Sequence, residues 1–282
     1  MRIGVGLPNA VPGTPAPALV EWAQRAEALG FSSLGVVERV PYDSYDPFAA
    51  LAAAAVETNE IGLATTIAIG PLRPTALLAK AAASLDALSG GRLTLGLSVG
   101  ARLADYEIAG IDHSDRGDRL SRQLFDIRTH FDNGGMCPAP ARGAGPTLLV
   151  GGGSDAAFAR MARHADGYIH NGGPPRTFVR AARTAMLAWE LAERPGSPRL
   201  WTQGYFALGD AAERGLAYML DYYAFTGPFV ERVAESLLTS PQSVSQFVRG
   251  YKEAGCQEMV LMPGVADVDQ LDRLAEVLGG LP

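Results

Sequence analysis

The chain predicts a closed α/β architecture, a (β/α)8 TIM barrel, on three observations. Eight strand-like segments alternate with helix-like ones along 282 residues, an order that produces a parallel sheet, and eight is the count at which such a sheet closes on itself. Several of the strands are continuous apolar runs, as expected where both faces of a sheet are covered. The third observation is the short return between 75 and 99. Leu77, Leu78, Ala81, Leu85 and Leu88 keep helical spacing, Gly90 and Gly91 supply a left-handed stop, and 92–99 reads as a buried strand. So tight a return fits a helix packed on the sheet that it feeds.

In chain order the expected strands are 2–7, 33–37, 61–69, 92–99, 146–150, 166–170, 200–208 and 258–262. The expected helices are 18–29, 47–58, 75–88, 117–131, 155–164, 177–193, 211–223 and 268–278. The segment 2–7 is too short an apolar run for a signal peptide and already reads as the first strand. The third strand carries two hydroxyls, Thr65 and Thr66, in an otherwise apolar run. The fifth ends on Gly151-Gly152-Gly153-Ser154-Asp155, which opens a helix, and the sixth ends on His170 followed by Asn171-Gly172-Gly173. The Gly-, Pro- and Ala-rich stretch 132–146 reads as a long loop, a length that is uncommon without function or mobility. Further helical material at 229–252 precedes the last strand and is expected to be an insertion, so that 1–282 form one barrel domain.

Composition narrows the function classes. Hydrophobic residues make up 48% and charged residues 19%, which suits a compact core and argues against disorder. The formal net charge of -6 disfavours a broad nucleic-acid-binding face, while leaving room for a local basic pocket. Cys137 and Cys256 stand far apart, outside any zinc or CxxC spacing, and read as free thiols of a reducing compartment. No run approaches the roughly 18 apolar residues of a membrane span, so a cytoplasmic location is expected. Lys80 and Lys252 are the only lysines among 24 basic residues, a skew that fits a GC-rich genome. Neither lies at a strand end, where an aldolase-type Schiff base would form.

The candidate chemistry clusters at the carboxyl ends of the strands. Gly152, Gly153 and Ser154 form the best phosphate cradle: glycines admit backbone amides close to an anion, Ser154 caps the helix, and the helix dipole favours negative charge there. A plain tight turn with a serine cap is the alternative. Glu38 and Arg39, followed by Tyr42, end the second strand and face either a ligand or each other as a surface ion pair. Thr65 and Thr66 bond backbone at a bulge or face a polar ligand. Of four histidines only His170 stands at a strand end. No His/acid spacing suggests a metal site, and no GxSxG elbow occurs.

Leu85-Asp86-Ala87-Leu88-Ser89-Gly90-Gly91-Arg92-Leu93, with Gly96 and Gly100 after it, resembles the Leu-Asp-x-Leu-Ser-Gly-Gly-Arg signature of the bacterial luciferase-like superfamily of flavin- and deazaflavin-dependent oxidoreductases. Ala26 to Phe31, Asp46-Pro47, Ala109-Gly110, Arg116 to Leu120 and Ala165-Asp166-Gly167 support the resemblance, which runs over nearly the whole chain. It implies a barrel that holds FMN or coenzyme F420 at the carboxyl ends of the strands. It also implies a bulge in the third strand behind the ring, matched here by Thr66-Ile67, where relatives commonly carry a non-prolyl cis peptide. The cofactor phosphate is expected at Gly152, Gly153 and Ser154, and Ser98, Gly100 and Arg102 beside the ring or its ribityl chain. Thr65 joins the expected cofactor contacts.

The chain departs from relatives with an acid-His pair after the second strand, since it has Glu38-Arg39. Arg73-Pro74 replaces a His-Pro step, and Ala101 stands where sugar-phosphate dehydrogenases carry an acid. A His-base, Glu-acid dehydrogenase is therefore disfavoured. The expected activity is hydride transfer through F420 or FMN-dependent monooxygenation of a small organic molecule, with Glu38, Arg39 and His170 as candidate catalytic residues and Asn9 and Tyr42 as substrate contacts. The GC-rich composition leans toward F420, whose anionic tail Arg39, Arg73, Arg102 and Arg176 would receive. A homodimer and a reductase supplying reduced cofactor are the expected partners. A non-catalytic flavin-binding protein of the same fold is the alternative.

Overall fold

The computed structural model describes residues 1–134, 138–139, 141 and 145–280. Cys137 and part of the expected loop at 132–146 lie outside them. The elements are β1 (Arg2–Gly6), α1 (Ala16–Ala28), β2 (Ser33–Val36), α2 (Pro47–Glu57), β3 (Gly62–Thr65), β4 (Ala68–Ile69), α3 (Thr75–Leu88), β5 (Leu93–Ser98), α4 (Leu103–Ala109) and α5 (Arg116–Asp132). They continue with β6 (Thr147–Gly151), α6 (Asp155–His164), β7 (Gly167–His170), α7 (Pro175–Leu191), β8 (Arg199–Phe206), α8 (Ala212–Tyr222), α9 (Val230–Ala234), α10 (Pro241–Glu253), β9 (Glu258–Pro263) and α11 (Asp269–Gly279).

The strands run parallel in the order β3-β2-β1-β9-β8-β7-β6-β5-β4, and Leu63 pairs with Leu93 to close the ring. β3 and β4 are two pieces of one stave, both registered on β5, so the barrel has eight staves among the described residues. Successive strand residues point to opposite faces. Leu34, Val36, Leu95, Leu97, Leu148 and Val150 therefore meet the helices, while Val37, Ala64, Leu149, Ile169, Trp201 and Val260 fill the interior. Both faces are buried, which is why these strands read as unbroken apolar runs.

The amino-terminal end of the barrel is fastened by polar groups. Glu27 accepts the amides of Asn59, Glu60 and Ile61 at 2.9, 2.7 and 2.9 Å. Arg92 donates to the carbonyls of Ala55, Thr58, Ile61 and Ser89 and to the Thr58 hydroxyl, all within 2.7–2.9 Å. The positive φ of Gly90 and Gly91, 64° and 82°, turns the chain from α3 into β5. The signature around Arg92 thus staples α2, α3 and the β3 entrance together.

Two features differ from the expected layout. α10, not the helix near 211–223, packs against α7 and α11 as the barrel's seventh helix; the insertion is the preceding stretch that carries α8 and α9. A capping box between Ser240 and Ser243, with Pro241 in the first turn, starts α10. α4 has no counterpart among the expected helices. The third strand, read over 61–69, is interrupted at Thr66-Ile67, where the resemblance implies a bulge.

Candidate active site

At the carboxyl ends of the strands a cavity of about 390 Å³ opens, within the range of small-molecule sites. Its floor is the interruption in the third stave. The Thr66 amide donates to the Val36 carbonyl at 2.7 Å, and Ile67 reaches across Gly151. A Cβ at Gly151 would lie 2.2 Å from Ile67 Cδ1, and one at Gly100, whose φ is 68°, would lie 2.9 Å from Ile69 Cγ2. Glycine at these two positions is what lets the bulge and the fourth-strand loop approach so closely. Ser98, Gly100 and Arg102 form one wall, with Thr66, Ile67 and Glu38 beside them; the insertion closes over the top with Tyr222, Tyr223 and Phe225.

Charged groups around the cavity are paired. Glu38 is 8% exposed, takes the Ile69 amide at 2.6 Å and meets Arg73 at 2.5 Å. Burial pushes its carboxyl above the usual value, against the opposing pull of Arg73. Arg73 also meets Asp46 at 2.7 Å, the residue that caps α2 through the amides of Phe48 and Ala49. Glu38 and Arg39 therefore do not pair with each other. Arg39 donates to the Tyr222 carbonyl at 2.9 Å and lies over the Tyr42 ring at 4.2 Å. Tyr42 in turn donates to Asp221 at 2.5 Å, fastening the second-strand loop to the insertion. Arg102 pairs with Asp105 at 2.9 Å, donates to the Glu38 carbonyl at 2.7 Å, and stacks on Tyr222 and Phe225. Arg176 is exposed in the first turn of α7.

Eight expected site residues do not line the cavity: Arg39 and Tyr42, described above, and His170, Asn9, Thr65, Gly152, Gly153 and Ser154. His170 does not line the cavity. It faces the helix layer with Tyr168, Phe178 and Tyr251, and its Nδ1 accepts the Gly172 amide at 3.2 Å. Burial pulls its imidazole down to about 4. Asn9 spends its amide on backbone, donating to Val37 at 2.8 Å and to Tyr45 at 3.3 Å while accepting from Val37 at 3.2 Å. Thr65 is occupied likewise: its hydroxyl donates to the Gly96 carbonyl at 2.7 Å and accepts the Gly96 amide at 2.8 Å. Gly152, Gly153 and Ser154 lie on the rim outside the cavity. Ser154 accepts the Ala157 amide at 3.3 Å as the cap of α6, and a Cβ at Gly153 would meet open space.

Several lining residues escaped sequence reasoning. Gln203 and Tyr205 project inward from β8, and Tyr222, Tyr223, Phe225 and Phe247 come from the insertion and α10. Gln203 was detectable as a polar side chain on the same parity as Trp201. The aromatic set carried no signal of its own: Tyr222 and Tyr223 end an expected ring helix, Phe225 lies between expected elements, and Phe247 lies in the expected insertion.

A closed parallel barrel with a cavity at the carboxyl ends of its strands has the layout of a barrel enzyme. The chain belongs to the luciferase-like monooxygenase family, whose model matches residues 1–255. An uncharacterized Mycobacterium tuberculosis protein is 33% identical over 189 residues, 54% of this chain, and the match spans 65% of that relative's length. An F420-dependent secondary alcohol dehydrogenase, solved with an F420-acetone adduct, superposes with a TM-score of 0.82 at 15% identity over 100% of this chain and 99% of its own. The oxygenating constituent of 3,6-diketocamphane monooxygenase from a Pseudomonas putida plasmid, solved with FMN, gives 0.72 at 17% identity over 98% and 95%. These superpositions share the fold. Among the described residues no helix is long and apolar enough to cross a membrane, and no cluster of His, Cys, Asp or Glu is arranged for a metal.

Proposed function

We propose that the chain is an oxidoreductase that holds the ring of F420 or FMN in the barrel-mouth cavity, with the phosphate at Gly152, Gly153 and Ser154. The observation that carries this reading is the cavity floor, where Thr66-Ile67 breaks the third stave and glycines 100 and 151 keep the surrounding backbone bare. The residues present fit such a group: Ile67 and Ile69 give the floor an apolar face, and side chains at Gly100 or Gly151 would fill the space beside it. The rim turn leads into the α6 amino terminus, where helix amides and dipole favour an anion.

The bound ring supplies hydride transfer, and FMN also supplies oxygen chemistry. The chain's own residues then orient and shield. Tyr222, Tyr223 and Phe225 cover the cavity from above, and Arg102 is held in place by Asp105 and the Glu38 carbonyl. Glu38 is committed to Arg73 and the Ile69 amide, so its part is to position the bulge rather than to move a proton. A non-catalytic binding protein is the second reading, favoured by that commitment of Glu38 and by the placement of His170 outside the cavity.

Titration of the chain with oxidised FMN and with F420, followed by absorbance and fluorescence, tests cofactor binding. Ser154→Asp sets a carboxylate against the phosphate and is expected to weaken binding by roughly tenfold to hundredfold. Unchanged affinity would remove the phosphate assignment, and absence of any turnover with reduced cofactor across a panel of small organic acceptors would favour the second reading.

A further inference from the structure

We propose that Gln203 and Tyr205 form a hydroxyl-recognition subsite, and that the substrate is a neutral, largely apolar molecule that presents a hydroxyl group to this pair. The inference rests on the reading of the barrel mouth as the reaction site and adds the class of molecule it takes.

Gln203 and Tyr205 stand two residues apart on β8 and so project from the same inward face. Both line the cavity, and they are 7% and 5% exposed. Between them Gly204 turns to the other side, where a Cβ would lie 2.8 Å from the Phe247 ring. Gln203 Oε1 is buried and has no hydrogen-bond partner. A buried amide oxygen left unpaired is unfavourable, and the group that relieves it must be a donor.

Tyr205 supplies the complementary half. The Tyr205 and Tyr223 hydroxyls are hydrogen-bonded at 3.1 Å, and with Tyr223 as the donor the Tyr205 proton is free for another acceptor. Burial raises the Tyr205 hydroxyl well above its ordinary value, so the proton stays on the oxygen. One ligand hydroxyl satisfies both residues at once, donating to Gln203 Oε1 and accepting from Tyr205.

The surroundings set the rest of the class. Met219, Tyr223 and Val233 make this end of the cavity apolar and aromatic. The charged side chains at its edge, Glu38 and Arg102, are already paired with Arg73 and Asp105. A carboxylate or ammonium placed here would be desolvated without a free counter-charge among the described residues. A neutral body with one polar end matches what is left.

The test uses the full chain and three probes of one shape: benzyl alcohol, toluene and benzoate. Dissociation constants are read by ligand-observed NMR titration. Benzyl alcohol is expected to bind roughly tenfold more tightly than either of the others, the worth of a well-made hydrogen-bonded pair. Gln203→Leu is expected to erase the alcohol-over-toluene preference while leaving toluene affinity in place. Should that variant fail to fold, Tyr205→Phe is expected to shrink the same preference at least threefold. Equal affinity for alcohol and toluene, a preference that survives in a folded variant, tightest binding of benzoate, or no benzyl alcohol binding up to its solubility limit would each overturn the proposal. The cofactor titration is separate. If neither FMN nor F420 binds while the Gln203-dependent preference stands, the redox reading falls and the subsite remains; if a cofactor binds and the preference is absent, the subsite alone falls.

Discussion

Acidification should destabilise this protein through His170, and the size of the effect follows from its surroundings. The ring lies 5.7 Å from Phe178, 6.2 Å from Tyr251 and 6.4 Å from Tyr168, and burial alone sets its depressed value of about 4 against 6.5 for an ordinary histidine. The unfolded chain therefore takes up a proton first as pH falls. The contribution is fully present above pH 6.5 and is lost between 6.5 and 4, in total about 3 kcal/mol at 1.36 kcal/mol per pH unit. By pH 5 about 2 kcal/mol of it is gone. Protonation also removes the Nδ1 lone pair that takes the Gly172 amide at 3.2 Å, so the 171–173 loop on the cavity wall loosens with it. Urea unfolding of the wild type and of His170→Phe at pH 7 and pH 5 checks this. The substitution keeps an aromatic ring in an aromatic niche, and groups common to both proteins cancel. The wild type should lose about 2 kcal/mol more than the variant over that interval. Equal losses would refute the placement of a neutral histidine in this layer.

Two further outcomes concern the cavity frame. Arg73→Met leaves Glu38 buried without its cation and should lower stability by about 3–5 kcal/mol in denaturant unfolding, with much of the loss recovered in the Arg73→Met, Glu38→Gln double variant. An additive double variant would mean that the two groups do not act as a pair. Gly151→Ala puts a methyl 2.2 Å from Ile67 Cδ1 and should push Ile67 into the cavity, weakening cofactor binding at least tenfold at a cost of about 1–3 kcal/mol in stability. Gly279→Ala at the end of α11, where a Cβ meets open space away from the cavity, is the control; a Gly151→Ala protein with wild-type affinity would take Ile67 out of the ring site.

Most of the barrel was legible because its elements obey local rules. α3 and α6 fall on the residues that periodicity and capping assign, and the helix-to-strand return at Gly90-Gly91 is written in two positive-φ residues. The insertion was harder, since 211–223 and 229–252 are both amphipathic and periodicity does not say which one packs on the barrel. Only tertiary contact with α7 and α11 decides in favour of α10. The Ser240-Pro241 start was the available signal, because serine and proline open α10 whereas α8 begins without a side-chain cap.

The site was less legible than the fold for a related reason. In a strand buried on both faces, hydrophobicity no longer marks which parity points inward, so a polar residue at a strand end carries an even chance of facing the helices. His170 shares its parity with Tyr168 and ends in the outer layer; Gln203 shares its parity with Trp201 and ends in the cavity. The most recognisable motif was no guide either. Ser89 to Arg92 fastens the amino-terminal end of the barrel, the end opposite the cavity, where residues serve stability. Five hydrogen bonds from the Arg92 guanidinium make this motif part of the scaffold. At the other end Glu38 and Arg39 follow the second strand, and the insertion supplies the aromatic wall. On the proposed reading, β8 and the 209–238 stretch select the substrate, while the residues that reveal kinship hold the opposite end of the barrel.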